Sequence, residues 1–414
     1  MNSPSSPSVR RGTHSHSDVC IVGNGAIAKT TALGFAQAGL SVTLLCPPTA
    51  VLAPVAPKAS AAPSWDVRVY ALNHGARDLL SSLKVWGALD AARVAPVEAM
   101  LVNGDGPGAG GLAFDAYGAR VGALAWIVED SNLGQALDAA LKFAHNVTLV
   151  HGRAIGLEVG ADAASVRLDG GDTLGAALVV GADGAQSWVR SQCDIGLDYR
   201  SYGQRGVVAN FACEKPHQGA AHQWFSGAEG IVALLPLPGR RVSLVWSAPD
   251  ALADMLRAES AGQLAKRLAA FCAEALGQLT PLEPELVRDF PLALMRPHAM
   301  IAPRVALVGD AAHVVHPMSG HGMNLGFADV AQLIASVAAR EPQRGIGDAR
   351  VLERYARARK EDVLLMQFAT DSLARLFDAD IEPLRVARNF GLNLLDKLPG
   401  LKRRLISRAL GKQG

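Results

Sequence analysis

The sequence predicts an α/β fold, and three kinds of stretch predict it. An apolar run at 18–22 stops at a glycine turn, leads into a helical segment and is followed by a second apolar run at 42–45. The same grammar, a buried strand ending in small and acidic residues, returns at 177–184 and again at 304–310. Between them, 203–246 reads as four strands (207–211, 222–225, 231–235 and 242–246), the pattern of an antiparallel sheet.

Length and composition bound the rest. A chain of 414 residues is too long for one simple core and suggests two connected lobes or three. Half of the residues are hydrophobic and 19% are charged, which excludes a disordered or fibrous chain. Lys and Arg number 40 against 38 Asp and Glu, so no basic field argues for nucleic acid. Mean hydropathy is +0.18, yet no uninterrupted apolar run reaches the roughly 18–20 residues of a spanning helix. Five scattered cysteines without a C-x-x-C pair read as small buried hydrophobes in a reducing cytoplasm. Residues 1–17 are rich in Ser, Pro, His and Arg and have no apolar stretch, so they read as a disordered lead and not as a signal peptide. The Ala/Pro stretch at 47–63 reads as a mobile loop.

The first turn carries chemistry. Gly23-Asn-Gly25-Ala-Ile-Ala28 follows a strand, opens a helix and sits in a unit of about 30 residues, the context of a dinucleotide fingerprint. Gly23 permits the tight turn, Gly25 lets backbone approach a pyrophosphate, and Ala28 still allows close packing of helix on strand. The phosphate charge would rest on free N–H groups at the helix start. The acid that usually ends the second strand, to hold ribose hydroxyls, is absent, and Cys46 stands there.

The later turns extend the pattern. Gly181-Ala-Asp183-Gly184 precedes Ser187 and Arg190. Gly309-Asp310 leads through His313 and His316 into a loop with glycines at 320, 322 and 326, then a long apolar helix expected at 327–339. That helix presents its N-terminal amides and their dipole to whatever lies before them. His313, His316 and His321 do not have the spacing of a known zinc set and lack nearby carboxylates, so no metal is expected.

With these motifs in view, the sequence resembles the single-component FAD-dependent aromatic hydroxylases, in particular their ubiquinone-biosynthesis branch, over nearly the whole chain. The resemblance is carried by G-N-G-A-I-A at Gly23, D-V-R-V-Y-A-L at Asp66, V-E-D-S-N-L-G-Q-A-L at Val128 and G-A-D-G-A-Q-S-W-V-R at Gly181. Y-G-Q at Tyr202, L-L-P-L-P at Leu234 and, most diagnostic, the run from Gly309 through H-P-M-S-G-H-G-M-N-L-G-F-A-D complete it.

The resemblance implies a Rossmann-like FAD-binding domain at 18–90, 126–195 and 299–345. Interleaved with it are substrate-domain segments at 91–125 and 196–298 and a helical C-terminal region at 346–414. It places the FAD pyrophosphate at Gly23, Gly25 and Ala28, and Arg68 beside flavin and pyrophosphate. Gln135 becomes a cofactor contact, Asp183 and Gly184 serve FAD and a transient nicotinamide, and Asp310 takes a ribitol hydroxyl. Pro317, Gly320, His321, Gly322, Met323 and Asn324 would lie against the flavin ring. Other readings stay open here, with Arg68 and Arg190 in surface ion pairs and Gln135 a helix cap. His222, Trp224 and Leu235 are candidates to face the substrate cavity, ordinary sheet packing being the alternative. Histidine at 321 replaces the family's glutamine, and with Cys46 and Ala28 it departs from the family pattern.

The implied activity is hydroxylation of a polyprenylated phenol in ubiquinone biosynthesis, with O2, with NADH or NADPH as a transient co-substrate, and through a flavin C4a-hydroperoxide. No side chain is singled out as a catalytic base. Two alternatives are a flavin-binding, non-catalytic subunit of a quinone-biosynthesis assembly and an FAD oxidoreductase acting on another apolar substrate. Basic residues Arg385, Arg388, Lys397, Lys402, Arg403, Arg404 and Arg408 outnumber acids near the C-terminus, beside apolar Leu401, Leu405 and Ala409. That pattern suits contact with the inner membrane surface, or equally packing on the protein or a partner.

Overall fold

The computed structural model describes residues 14–47, 64–104, 110–227, 229–283, 286–316 and 321–378. The 48–63 part of the expected mobile loop, Pro317 and Gly320 of the flavin loop, and the basic C-terminal stretch lie outside the described residues, as do the side chain of His321 and the lead before 14.

The chain opens with β1 (His14–Val22), α1 (Ala26–Gln37), β2 (Val42–Cys46), β3 (Val69–Leu72), α2 (His74–Ser82), β4 (Val94–Val97), β5 (Ala99–Asn103), β6 (Gly111–Asp115), β7 (Ala125–Glu129) and α3 (Asp130–Leu141). There follow β8 (Val147–His151), β9 (Ala154–Val159), β10 (Ala164–Leu168), β11 (Thr173–Gly181), α4 (Trp188–Gln192), β12 (Leu197–Cys213), β13 (Ala220–Ser226), β14 (Gly230–Leu237) and β15 (Arg241–Pro249). The last part comprises α5 (Asp250–Ala258), α6 (Ala261–Leu276), β16 (Leu279–Pro281), β17 (Arg288–Pro297), β18 (Ile301–Ala302), β19 (Val305–Leu307), α7 (His321–Ala338) and α8 (Ala349–Asp378).

The first sheet has the order β18-β19-β11-β1-β2-β8, with β10 and β9 added beyond β11. Its central pairs, β19 with β11, β11 with β1, β1 with β2 and β2 with β8, are all parallel. A parallel sheet covered on both faces needs apolar residues at every position, and β1 supplies them. Val19 and Ile21 join Phe35 of α1 in one buried cluster, whereas Cys20 and Val22 pack with Val189 and Leu307 on the other face. Each fully buried side chain such as Phe35 contributes about 1.5–3 kcal/mol by leaving water. Helix α1 packs on α3 and α7, and α7 on α8.

Two boundaries differ from the sequence reading. β1 begins at His14, inside the expected lead, because residues 14–17 pair in parallel with 173–176. Helix α7 begins at His321, before the expected 327, so the glycines at 322 and 326 belong to the helix.

The second sheet runs β16-β12-β15-β14-β13-β5-β6, with β17 also on β12. All four expected strands lie within it, and only the β13–β5 pair is parallel. Helices α5 and α6 cover one face through Leu256, Leu264, Leu268 and Cys272, against Phe211, Leu234 and Trp246. A third sheet, β3-β7-β4, links the two large ones. Trp126 and Val128 of β7 enter the core of the first sheet, while Ile127 between them packs with Ala221 and Leu237 of the second. The period-2 alternation of one strand thus glues two layers together.

Candidate functional site

Three turns leave the carboxyl ends of neighbouring parallel strands, where open α/β sheets form their ligand crevice. After β1, Gly23 takes φ +143°, and a Cβ there would stand 2.3 Å from the carbonyl oxygen of Ala182 in the turn after β11. After β19, Gly309 takes φ +62°, with the Ile27 side chain of α1 3.3 Å from where its Cβ would be. The turns therefore touch one another, and glycine is what lets them.

Buried Arg190 ties two of them. Its guanidinium donates to Ala185 O at 2.7 Å and to Ala311 O at 3.1 Å. A surface ion pair is thus not the role of this arginine. Asp183 lies in the same region, but its carboxylate is engaged within its own loop, accepting from Ser187 Oγ at 2.5 Å and from the Val189 N–H at 3.0 Å. Gly184 beside it has φ +83° and open space where a Cβ would be.

Helix α1 starts at the first turn. Its N-cap, Gly25, has no side chain to accept from the first N–H groups, and no acid stands in the first turn. Nothing lies within 4 Å of where a Gly25 Cβ would be. An uncapped helix start facing open space suits a pyrophosphate. Ala28 is fully buried and packs toward Gly23. Cys46 is buried in the core under α1, so burial raises its thiol pKa, opposed by the charge of Lys29, which pairs with Asp138 at 2.6 Å.

Arg68 lies in the segment before β3. A dense set of hydrogen bonds holds that segment. Glu129, with no solvent exposure, accepts from Asp66 N–H at 2.6 Å and forms a bidentate pair with Arg93 at 2.6 and 2.7 Å. Asp66 in turn accepts from the backbone N–H of Arg68 and of Ser131. The Arg68 guanidinium stays exposed, 5.6 Å from the Tyr70 ring and 4.0 Å from Asp130, which accepts from Tyr70 Oη at 2.8 Å. Tyr70 and Asp130 stand in the quoted motifs, but sequence reasoning gave them no role.

Asp310 is reachable by solvent, yet enough protein surrounds it that burial pushes its carboxyl pKa up, with His313 and Arg68 pulling it back. Asp310 thus lies at the turn after β19, within reach of solvent and of the Arg68 charge. This donor and acceptor set fits FAD: helix amides for the pyrophosphate, a cation beside it, and a carboxylate for a ribityl hydroxyl.

On α7, Asn324 accepts from Asn73 N–H at 2.9 Å and donates to Ala71 O at 2.8 Å, tying the helix to the strand after Arg68. Met323 packs on the main core and Gly322 meets open space. Gln135 is exposed on α3. Fully buried His316 sets its ring edge-on to Tyr202 at 4.8 Å and donates from Nε2 to Gln204 Oε1 at 3.3 Å; burial lowers its pKa to about 4.

The three sheet candidates do not converge. His222 stacks on Trp224 at 5.4 Å, and Trp224 meets Phe271 of α6 at 6.0 Å, so both point to the helix-covered face. His222 also opens on a cavity of about 400 Å³ lined by Leu101, Lys215, His217 and Ala275. Leu235 points to the opposite face, among Val97, Ile127 and Ala221 beside the third sheet. Among the described residues, no group of His, Cys, Asp and Glu is placed to hold a metal, and no helix is long and apolar enough to cross a membrane.

Comparison with known proteins agrees with this geometry. A family described as "FAD binding domain" matches residues 135–366. Ubiquinone hydroxylase UbiL of Rhodospirillum rubrum is 34% identical over 396 residues, spanning 95% of this chain and 89% of the relative. The 3-demethoxyubiquinol 3-hydroxylase of Escherichia coli is 36% identical, spanning 96% of this chain and 100% of its own length. Among solved structures, p-nitrophenol 4-monooxygenase PnpA from Pseudomonas putida shares the fold, with a TM-score of 0.75 at 17% identity over 96% of this chain and 99% of that one.

Proposed function

The chain belongs to the FAD-dependent ubiquinone-biosynthesis hydroxylases, and from that premise we propose that it hydroxylates the aromatic ring of a polyprenylated phenol with O2 and NAD(P)H. The observation that carries this reading is the meeting of three turns at the carboxyl ends of β1, β11 and β19, held together by Gly23 and Arg190, with Asp310 in one of them and the uncapped start of α1 beside them.

Bound there, FAD supplies the redox and oxygen-activating chemistry. The chain's own residues bind and orient. Amides at the start of α1 hold the pyrophosphate, Arg68 adds a fixed cation, and Asp310 accepts from a ribityl hydroxyl. Asn324 and the Glu129–Arg93 pair hold the elements that carry these groups. The 18–90, 126–195 and 299–345 segments form the cofactor unit in this reading, and Gly184 leaves room for the visiting nicotinamide. Helix α6 occupies one face of the second sheet, so the better candidate for the phenol is the other face, beyond the patch where Leu235 and Ala221 meet the third sheet.

Such a substrate resides in a membrane, and the site is proposed to meet it at the surface, from the cytoplasmic side. Support comes from α8, whose outward face changes from Glu353, Arg357 and Lys360 to exposed Leu364, Leu365 and Phe368 as it approaches the basic C-terminal stretch. Co-sedimentation with anionic liposomes, full chain against one ending at Pro399, tests the contribution of that stretch; equal sedimentation removes it. The reaction itself is tested by mass spectrometry of quinone intermediates in a deletion strain. A prenylated phenol one hydroxyl short of the next intermediate is expected to accumulate, and an unchanged profile rejects the assignment.

A further inference from the structure

Asp329 of α7 has no solvent exposure and holds three groups at once. Its Oδ2 accepts from His313 Nε2 at 2.6 Å and from the backbone N–H of Gly309 at 2.9 Å. Its Oδ1 accepts from Arg359 Nε at 2.7 Å, and Arg359, itself buried, donates also to Asp362 at 2.9 Å. Burial alone would raise the Asp329 pKa, but His313 and Arg359 more than offset it and hold the group ionised. The carboxylate cannot donate, so Nε2 of His313 carries the proton.

Buried ionic clusters are weak sources of stability, because packed apolar groups of similar volume often serve as well. This cluster does something an apolar one cannot. Gly309 and His313 bracket the turn that presents Asp310, and one oxygen of Asp329 grips both ends of it. Within the turn, Ala312 N–H and His313 N–H both donate to Gly309 O. Among the described residues no hydrogen bond joins the cluster to Asp310; His313 and Asp329 act on its carboxylate by charge in opposite directions, and the grip on Gly309 and His313 acts through the turn.

We propose that Asp329 is the positioning residue for Asp310, fixing the turn so that the Asp310 carboxylate meets a ribityl hydroxyl. The proposal rests on the reading of Asp310 as an FAD ligand, and the test separates the two. FAD release from diluted holoprotein, followed by flavin fluorescence, is measured for the native chain, Asp310→Asn, Asp329→Asn and the double variant. Asp329→Asn is expected to weaken retention about tenfold, the equivalent of one misplaced charge-assisted hydrogen bond. The double variant is expected to be no weaker than the weaker single one, since both remove the same contact. Native retention in Asp310→Asn overturns the ligand reading. A loss in Asp310→Asn with native retention in Asp329→Asn, or additive losses, overturns the positioning role. Should Asp329→Asn fail to fold, Asp329→Leu with Arg359→Met replaces the charges by apolar volume. Weakened retention in that folded variant supports the proposal, and native retention refutes it.

Discussion

Arg190 donates a hydrogen bond to the carbonyl oxygen of Ala311 across 121 residues of sequence, at 3.1 Å. The same guanidinium reaches Ala185 O at 2.7 Å, so one planar fork staples the turn after β11 to the turn after β19. Lysine cannot reproduce this, because a single ammonium does not present two donors in a fixed plane. Arg190→Lys and Arg190→Met are therefore both expected to lose about 2–3 kcal/mol, as hydrogen bonds from a charged donor are removed and two carbonyls lose their partner. Chemical denaturation measures it. A lysine variant as stable as the native chain would show that the staple does not matter.

Gly23→Ala meets two obstacles. Its φ of +143° is poorly accessible to any residue with a Cβ, and that Cβ would lie 2.3 Å from a backbone oxygen. The variant is expected to purify without its yellow flavin absorbance, with melting lowered by several degrees. Gly25→Ala, which meets nothing within 4 Å, is expected to melt near the native temperature. Equal melting of the two variants would contradict the packing of the turns.

His316 gives a prediction with a sign. Its pKa falls from 6.5 to about 4 because the charged ring would be desolvated. Unfolded chains bind the proton below about 6.5 and the folded protein does not, so this residue makes stability fall as pH drops from 6.5 toward 4. The full effect is about 3 kcal/mol. The buried Asp329, with a lowered pKa, loses its contribution only below 3.8, outside that window. His316→Gln should flatten the pH dependence of urea unfolding between pH 6.5 and 4, and an unchanged slope would show that the ring is not held neutral.

How much of this was legible in the sequence varies by residue. Gly23, Gly25 and Ala28 were, because a strand–turn–helix unit leaves a fixed spacing of small residues. The strands of the second sheet were, because alternation survives in the chain itself. Alternation shows which residues share a face, but not which layer covers it: His222 and Trp224 lie on the face covered by α6, and Leu235 lies on the other face of the same sheet. A surface ion pair stays open for Arg190 in the sequence because its partners are backbone carbonyls, which carry no sequence signal. Asp329 stands within the G-F-A-D run, yet its role depends on Arg359, a partner 30 residues away that no local pattern points to. The start of β1 at His14 was hidden by polar residues whose backbone, not side chains, pairs with β11.

The central claim is turnover, and 18O-labelled O2 tests it most directly. Holoprotein, NAD(P)H and a short-chain prenylated phenol are incubated under the labelled gas, and the product is read by mass spectrometry. One labelled hydroxyl on the ring, with NAD(P)H oxidation stimulated by the phenol, is the expected result. Flavin bound but no phenol-stimulated oxidation and no label would contradict it and leave a flavin-binding subunit without turnover.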